Sequence, residues 1–394
     1  MKRSRFTSLR RGSGIGEGEI PLVWFSEVQW DFLSTRKQRL LQRFPENWRI
    51  LFIEPYAFGR KHHWMPVRRG GVTVVTVPFL KSVQGRFAGL FDNVMLRGLV
   101  AGTGRFWMQW WVLLLGFGSS GRIIGLSNIH WGKVAASMPC RVRFYDANDD
   151  HLGFTGSPLW LREFLRTYLD ACDLLFFVTP ELLVSLQPKP GIRCIELGNG
   201  VEFDHFARPA GHVPPAIAGL RKPLLGYAGA MDWLDAGLVE ATARAWPECT
   251  IVLIGPAYAA DWWERQRALQ ALPNVHYLGK VDYREFPAYV QCLDLALMPL
   301  ERSALKRVSH PNKLYEYTAA GVPVLAIDYC STVAAARRVI TVASTPGEFT
   351  RLVPEALADT AREARQAFAR AHSWDTLAGI MIRELLACLQ GGCR

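Results

Sequence analysis

Short β-rich apolar runs alternate with helical patterns along most of this chain, and that alternation restricts the fold more than any other feature. The first series of runs falls at residues 22–26, 50–54, 72–77, 122–127, 142–146, 174–179 and 193–197, with helical segments at 32–44, 87–99 and 159–170. Strands that alternate with helices build βαβ units and a mostly parallel sheet. Segment 208–222 (RPAGHVPPAIAGLRK) then interrupts the pattern with three prolines and two glycines, the composition of a linker. Alternation resumes with strands at 224–227, 250–254, 275–278, 293–298, 323–327 and 339–342. Helices are expected beside them at 238–245, 262–271, 283–291, 312–320 and 346–353, and long Ala/Arg/Leu helices at 358–371 and 377–389. A length of 394 residues suits two domains. The expected architecture is α/β, with two doubly wound Rossmann-like domains facing a central cleft. The first spans 1–207 with a loose basic leader at 1–19, a linker covers 208–222, the second domain covers 223–373, and a terminal helix covers 374–394. Such sheets bind ligands at the carboxyl ends of their strands.

Charge narrows the partners. Lys plus Arg number 46 against 35 Asp plus Glu, a formal net charge of +11. Much of the excess sits in Lys2, Arg3, Arg5, Arg10 and Arg11 and around residues 60–69. That distribution suits an anionic membrane surface or nucleotide phosphates. No zinc-finger spacing or RNA-binding aromatic motif accompanies it, so nucleic acid is not an expected partner. The apolar stretch 106–118 (FWMQWWVLLLGFG) is shorter than the roughly 20 residues a spanning helix needs. It is expected as a buried or membrane-apposed helix, with Trp107 and Trp111 on one face and Trp110 beside them. The basic start runs into Gly-rich sequence rather than an apolar core, so no signal peptide is expected. The expected location is the cytoplasm, on the inner face of the plasma membrane. Eight cysteines form no C-x-x-C pair and are expected as free thiols without a metal site. Gly116, Gly118 and Gly121 match G-x-G-x-x-G by letter, but a helical run precedes them and a strand follows, the reverse of a dinucleotide fingerprint.

The most informative segment is 309–326 (SHPNKLYEYTAAGVPVLA). Pro311 suits the first turn of a helix, and Gly321 and Pro323 end it. The helix N-terminus, from Ser309 through Pro311 and Asn312, offers free N–H groups and a positive dipole end to a phosphate. Lys313 and Glu316 are three residues apart and share one face. Together they supply a cation for a diphosphate and a carboxylate for ribose hydroxyls.

The pattern H-P-x-K-L-Y-E-Y-x-A-x-G-x-P-V resembles the donor-site signature of GT-B glycosyltransferases of the family four, or group 1, type. It is most similar to the bacterial branch that builds exopolysaccharide and teichuronic-type polymers. Other segments agree: GYAGA at 226–230, IVLIGP at 251–256, VHYLGK at 275–280, Asn199 to Glu202 with Phe206, and Tyr145-Asp146 with Asp149-Asp150. Trp374-Asp375 resembles the start of the family's last helix, which crosses back to the first domain.

The resemblance implies a nucleotide-sugar donor, UDP- or GDP-linked, and hexosyl transfer to a lipid-linked saccharide in cell-surface polysaccharide synthesis, with retention at the anomeric carbon. It implies that Glu316 holds the ribose and that Lys313 with nearby backbone N–H groups holds the diphosphate. Gly229 and Ala230 would approach the phosphates, and Gly279, Lys280 and Val281 would line the base. Two departures stand out. Val308 occupies the position of the family's first carboxylate, for which Ser309 or His310 would substitute. No cation follows the Gly229 turn, so Lys306 and Arg307 would supply that charge. Asp149, Asp150, His151 and His130 follow strand ends and are the acceptor-side candidates for catalysis. The sequence carries no D-x-D, and the charge-stabilising chemistry of the family calls for no metal and no cofactor. The alternative is a catalytically inactive GT-B scaffold that binds a nucleotide sugar or a partner enzyme, for which the missing carboxylate argues.

Overall fold

The structure is a computed structural model that describes residues 18–32, 34–57, 59–78, 89–118, 121–153, 157–259 and 261–391. Two sheets organise it. Strands β1 (Ile20–Phe25), β2 (Trp48–Pro55), β3 (Val67–Arg69), β4 (Val72–Val77), β5 (Ile123–Leu126), β6 (Val142–Ala147), β7 (Leu174–Phe177) and β8 (Arg193–Glu196) form the first, in the order β3-β4-β2-β1-β5-β6-β7-β8. Only β3, a short strand absent from the sequence reading, runs antiparallel to its neighbour. Strands β9 (Leu224–Ala228), β10 (Thr250–Ile254), β11 (Val275–Gly279), β12 (Leu295–Met298), β13 (Val324–Ile327) and β14 (Thr341–Ala343) form the second, all parallel, in the order β11-β10-β9-β12-β13-β14.

Burial explains why these strands read as unbroken apolar runs. Every residue of β9, β10, β12 and β13 is buried, as expected where helices cover both faces of a parallel sheet. In each sheet the chain builds outward from its first strand and then jumps to that strand's other side. The reversal falls between β1 and β5 in one sheet and between β9 and β12 in the other. Ligands of open α/β sheets bind at such reversals, beyond the carboxyl ends of the strands.

The chain packs as two compact units. Unit 1 runs to Phe177 and adds Ser185–Glu196 and the chain from Ala378 onward; unit 2 comprises Val178–Val184 and Leu197–Leu377. Packing therefore divides the chain at Leu197, upstream of the Pro-rich segment 208–222. Val201, Phe203, Phe206 and Ile217 are buried in the same apolar core as β9 to β14, so that segment lies on unit 2 as part of its surface. The terminal helix Trp374–Leu389 starts in unit 2 and continues in unit 1, where Arg141 Nε donates to the Leu389 carbonyl at 2.9 Å.

Two expectations change. Segments 87–99 and 106–118 were to be separate, yet residues Val94–Leu114 form one helix through Gly98, Gly102 and Gly104. Gly104 serves close packing: a Cβ there would lie 2.2 Å from the Trp131 ring and 2.7 Å from the Pro78 carbonyl. Trp107 and Trp111 face inward, edge to face at 5.9 Å. The outward face instead carries Met95, Leu99, Phe106, Trp110 and Leu113, the last three 68%, 55% and 75% exposed. No helix among the described residues is long and apolar enough to cross a membrane. Cys140, Cys172, Cys194, Cys249, Cys292 and Cys330 are free thiols, but Cys388 is disulfide-bonded, unlike the expected set.

Helix Asn312–Ala320 forms where Pro311 and Gly321 predicted it, and Gly321 closes it in the left-handed conformation at φ +75°. Buried Arg365 donates from Nε and Nη2 to the Gly321 carbonyl at 3.3 and 3.1 Å and pairs with Asp359 at 2.6 Å. The buried Tyr317 hydroxyl accepts the Ala228 N–H at 2.8 Å and donates to the Ala228 carbonyl at 3.2 Å, tying this helix to the end of β9. Tyr317→Phe strands both backbone groups without water, which costs about 1–3 kcal/mol. Calorimetry is expected to show a lower Tm with the far-UV circular dichroism unchanged; an unaltered Tm would show that the tie contributes nothing.

Candidate active site

The carboxyl end of the second sheet is lined with glycine. Strands β9, β10 and β11 run into Gly229, Gly255 and Gly279, whose backbones interlock: the Gly229 N–H donates to the Ile254 carbonyl and the Gly255 N–H to the Gly279 carbonyl, both at 2.7 Å. A Cβ on Gly255 would sit 2.0 Å from the Gly229 carbonyl oxygen, and one on Gly229 would sit 1.9 Å from Lys313 Cε. The Lys313 side chain thus lies directly over Gly229 at the strand reversal, with its ammonium 5.3 Å from the centre of the Tyr227 ring. Burial pushes the Lys313 ammonium down to about 8; Glu316, one turn along the helix, opposes that fall and Lys306 adds to it. Lys306 itself stacks 3.8 Å over the Trp233 ring. Ala230 holds its carbonyl against the Tyr227 hydroxyl at 2.8 Å. A partly desolvated cation beside glycine backbone and the first turn of a helix forms a cradle for phosphate oxygens.

The remaining donor-side candidates divide. Pro311 caps the helix and Asn312 is its exposed first residue. Lys280 is exposed and Val281 half-buried, just past Gly279 at the end of β11. Ser309 Oγ donates to the Lys306 carbonyl at 2.7 Å and so closes the short helix Ala304–Arg307. Arg307 lies elsewhere, lining a separate cavity with Arg302 and Tyr329. His310 is bound at both ring nitrogens. Nδ1 accepts the Asn199 N–H at 3.0 Å, which leaves the proton on Nε2 to donate to the Tyr315 hydroxyl at 3.0 Å. Asn199 Nδ2 also donates to the His310 carbonyl at 2.9 Å, and a Cβ on Gly198 would lie 2.2 Å from the ring. His310 therefore fastens the 198–199 loop to the helix, a role the sequence did not reveal. Val308, like that loop, is part of unit 2; its carbonyl accepts Thr179 Oγ1 at 3.2 Å.

In unit 1 the acceptor-side candidates follow β5 and β6. His130 Nδ1 lies 3.1 Å from Asn128 Oδ1, while Asn128 Nδ2 donates to the Ser26 carbonyl at 3.0 Å. With the amide oriented that way Nδ1 carries the proton, and Nε2 is the acceptor nitrogen of the neutral ring. Asp149 Oδ1 accepts the Asp150 N–H at 3.0 Å. Asp150 is engaged by its own loop, accepting the Leu152 and Gly153 N–H groups at 3.2 and 3.0 Å. The His151 carbonyl accepts Ser157 Oγ at 3.0 Å, and the residue lies near a carboxylate that pattern reading overlooked. That carboxylate is Glu27, two residues past β1. Burial pushes it up, but ion pairing with the buried Lys37 and the nearby His151 outweigh this and hold it below the usual carboxylate range. Arg36 and Asp146 form a fully buried pair at 3.0 Å beneath the same strand ends. The signal that finds Glu27 is position: it follows the strand where the sheet reverses. Among the described residues no three His, Cys, Asp or Glu side chains gather as a metal site.

The family model of glycosyl transferases group 1 matches residues 222–364. TuaH of Bacillus subtilis, described as a candidate teichuronic acid biosynthesis glycosyltransferase, is 32% identical over 136 residues, which make up 34% of this chain and 34% of TuaH. The match thus spans about one third of the length of that relative. A trehalose-6-phosphate protein from E. coli, bound with UDP-2-fluoro glucose, superposes with a TM-score of 0.72 at 13% identity, over 93% of this chain and 98% of that one. HepE of Anabaena, in complex with UDP and glucose, superposes with a TM-score of 0.63 at 14% identity, over 94% of this chain and 100% of that one. The chain has the GT-B fold, and its residues 222–364 are similar to the group 1 glycosyltransferase domain.

Proposed function

We propose that the chain transfers a hexose from a UDP-sugar to a lipid-linked saccharide acceptor during cell-surface polysaccharide assembly, with retention at the anomeric carbon. The observation that carries this reading is the Lys313 side chain laid over Gly229, with Glu316 one turn on. The UDP-2-fluoro glucose and UDP of the two structural neighbours favour uridine over guanosine. The polysaccharide role rests on the likeness to TuaH, and retention on the family that the donor motif resembles.

In the reaction the bond from the anomeric carbon to the diphosphate oxygen breaks, and one from the acceptor oxygen to that carbon forms. Negative charge grows on the departing UDP while the sugar gains oxocarbenium character. Lys313, Lys306 and the N–H groups that open helix Asn312–Ala320 meet that charge, and preorganised charges of this kind are a major source of rate. Glu316 takes the ribose hydroxyls. On the acceptor side the reading assigns His130, Asp149 and His151, with the Glu27 carboxylate near His151. The acceptor hydroxyl gives up its proton as it attacks, and the departing diphosphate oxygen takes it up.

The lipid-linked acceptor and a peripheral place on an anionic membrane rest on the outward face of helix Val94–Leu114. Phe106, Trp110 and Leu113 are solvent-exposed there, and each gains about 1.5–3 kcal/mol if fully buried. The net charge of +11 adds attraction to anionic headgroups,.

Three outcomes are expected. Among UDP, GDP, dTDP and CDP, only UDP raises the Tm of the wild type, by the roughly 2.7 kcal/mol that a ligand at 100 times its Kd supplies. Glu316→Ala abolishes the shift; equal shifts in both proteins would place the nucleotide elsewhere. Because Lys313 loses its proton near 8, UDP affinity stays level below that pH and weakens above it, by up to tenfold per pH unit. Titration calorimetry of Lys313→Arg, whose charge persists, gives a flat profile over the same range, and a matching decline in that variant would move the titrating group away from residue 313. Third, the protein co-sediments with phosphatidylglycerol vesicles at low salt, and the triple variant Phe106→Ser, Trp110→Ser, Leu113→Ser stays in the supernatant. Pelleting of the triple variant would remove this helix from the membrane reading.

A further inference from the structure

The second sheet has a further cavity, distinct in its lining from the phosphate cradle. It measures ≈ 510 Å³ and is lined by residues following three adjacent strands: Arg302 and Arg307 after β12, Asp328, Tyr329 and Ser331 after β13, and Ser344 after β14, with Glu181 across from them. Its two carboxylates are already engaged. Asp328 accepts from Arg337 Nη2 at 2.7 Å, and Glu181 Oε2 accepts from Ser331 Oγ at 2.8 Å. Its cations are less committed. Arg302 gives one donor to the Ser344 carbonyl, and the Arg307 guanidinium has no partner among the described residues. Tyr329 is only 4% exposed, and its hydroxyl lies beside the Cys330 thiol, closed off from the cavity.

Strand order gives the cavity its place relative to the phosphate cradle. A nucleotide sugar is linear: base, diphosphate, sugar. In the donor reading the base lies toward β11 and the diphosphate at the β9/β12 reversal, so the sugar continues past β12 toward β13 and β14. Adjacent strands are 4.7–4.9 Å apart, so the carboxyl ends of β12 to β14 span about 10 Å, room for one substituted pyranose. The turn Ala304–Arg307 joins the two places: Lys306 acts on Lys313, and Arg307, the next residue, lines the cavity.

We propose that this cavity receives the sugar of the donor and that Arg302 and Arg307 select one bearing a carboxylate, a hexuronate. Guanidinium forks bind carboxylates through paired charge-assisted hydrogen bonds, whereas a neutral hexose leaves the Arg307 charge unanswered. Position 308 is valine, so no carboxylate beside Arg307 competes for it.

This inference rests on the donor reading, and the experiment separates the two. Titration calorimetry is run on the full chain with UDP, UDP-glucose and UDP-glucuronate, for the wild type and for Arg302→Ala, Arg307→Ala and Tyr329→Phe. The wild type is expected to bind UDP-glucuronate at least tenfold more tightly than UDP-glucose. That ratio is expected to fall to about one in Arg307→Ala and to an intermediate value in Arg302→Ala, and to keep its wild-type value in Tyr329→Phe, whose hydroxyl does not open into the cavity. UDP binding with no hexuronate preference overturns the cavity assignment alone, as does a preference that survives Arg307→Ala. Failure of the wild type to bind UDP overturns the donor reading and the inference with it. Thermal melting of each variant shows whether it is folded, and the ratio of two ligands on one protein is insensitive to a partly inactive sample.

Discussion

A lysine side chain lying on a bare stretch of backbone is the constraint from which the donor-side arrangement follows. Lys313 can lie over residue 229 only if that residue has no Cβ, and residue 229 can meet its neighbouring strand only if residue 255 has none either. The glycines at the ends of β9, β10 and β11 are therefore one device. They bring main-chain amides and an ammonium group into the same small volume, where neither is fully hydrated. Burial lowers the affinity of that amine for its proton. Much of the rest of unit 2 holds the lysine-bearing helix still. Arg365 grips its C-terminal cap, Tyr317 ties its middle to β9, and the His310–Tyr315 contact, with rings stacked at 5.2 Å, secures its beginning.

Local signals made part of this legible. Helix Asn312–Ala320 was read to the residue because a proline and a left-handed glycine bracket it, and each acts within one turn. Strands β9, β10, β12 and β13 were legible because they are buried on both faces, so that no charged residue interrupts them. Glycine inside an apolar run was harder to interpret. Gly104 falls between segments 87–99 and 106–118, which were read separately, whereas it is where one continuous helix meets Trp131. The meaning of that glycine lies 27 residues away in the sequence, beyond the reach of any local pattern.

The site was legible in proportion to how local its partners are. Lys313 and Glu316 share a helix face and could be paired on sight. Glu27 could not be, because what makes it notable is Lys37 on the next helix and His151 far along the chain. Asp149 and Asp150 look alike in sequence, yet Asp150 spends its carboxylate on the amides of its own loop. Lys306 and Arg307 were read as a pair of phosphate-facing cations, but adjacent residues of a helical turn point about 100° apart. One acts on Lys313 and the other lines a different cavity.

The Gly104–Trp131 contact also fixes the rotation of helix Val94–Leu114 about its own axis. With one side seated against an indole at a distance no side chain would permit, the helix cannot turn its outward row of Met95, Leu99, Phe106, Trp110 and Leu113 inward when nothing covers it. That apolar row is a permanent feature of the folded chain. Its colloidal behaviour, meaning self-association, adhesion to surfaces and dependence on detergent, is thereby set by a single missing methyl group on the opposite side of the helix.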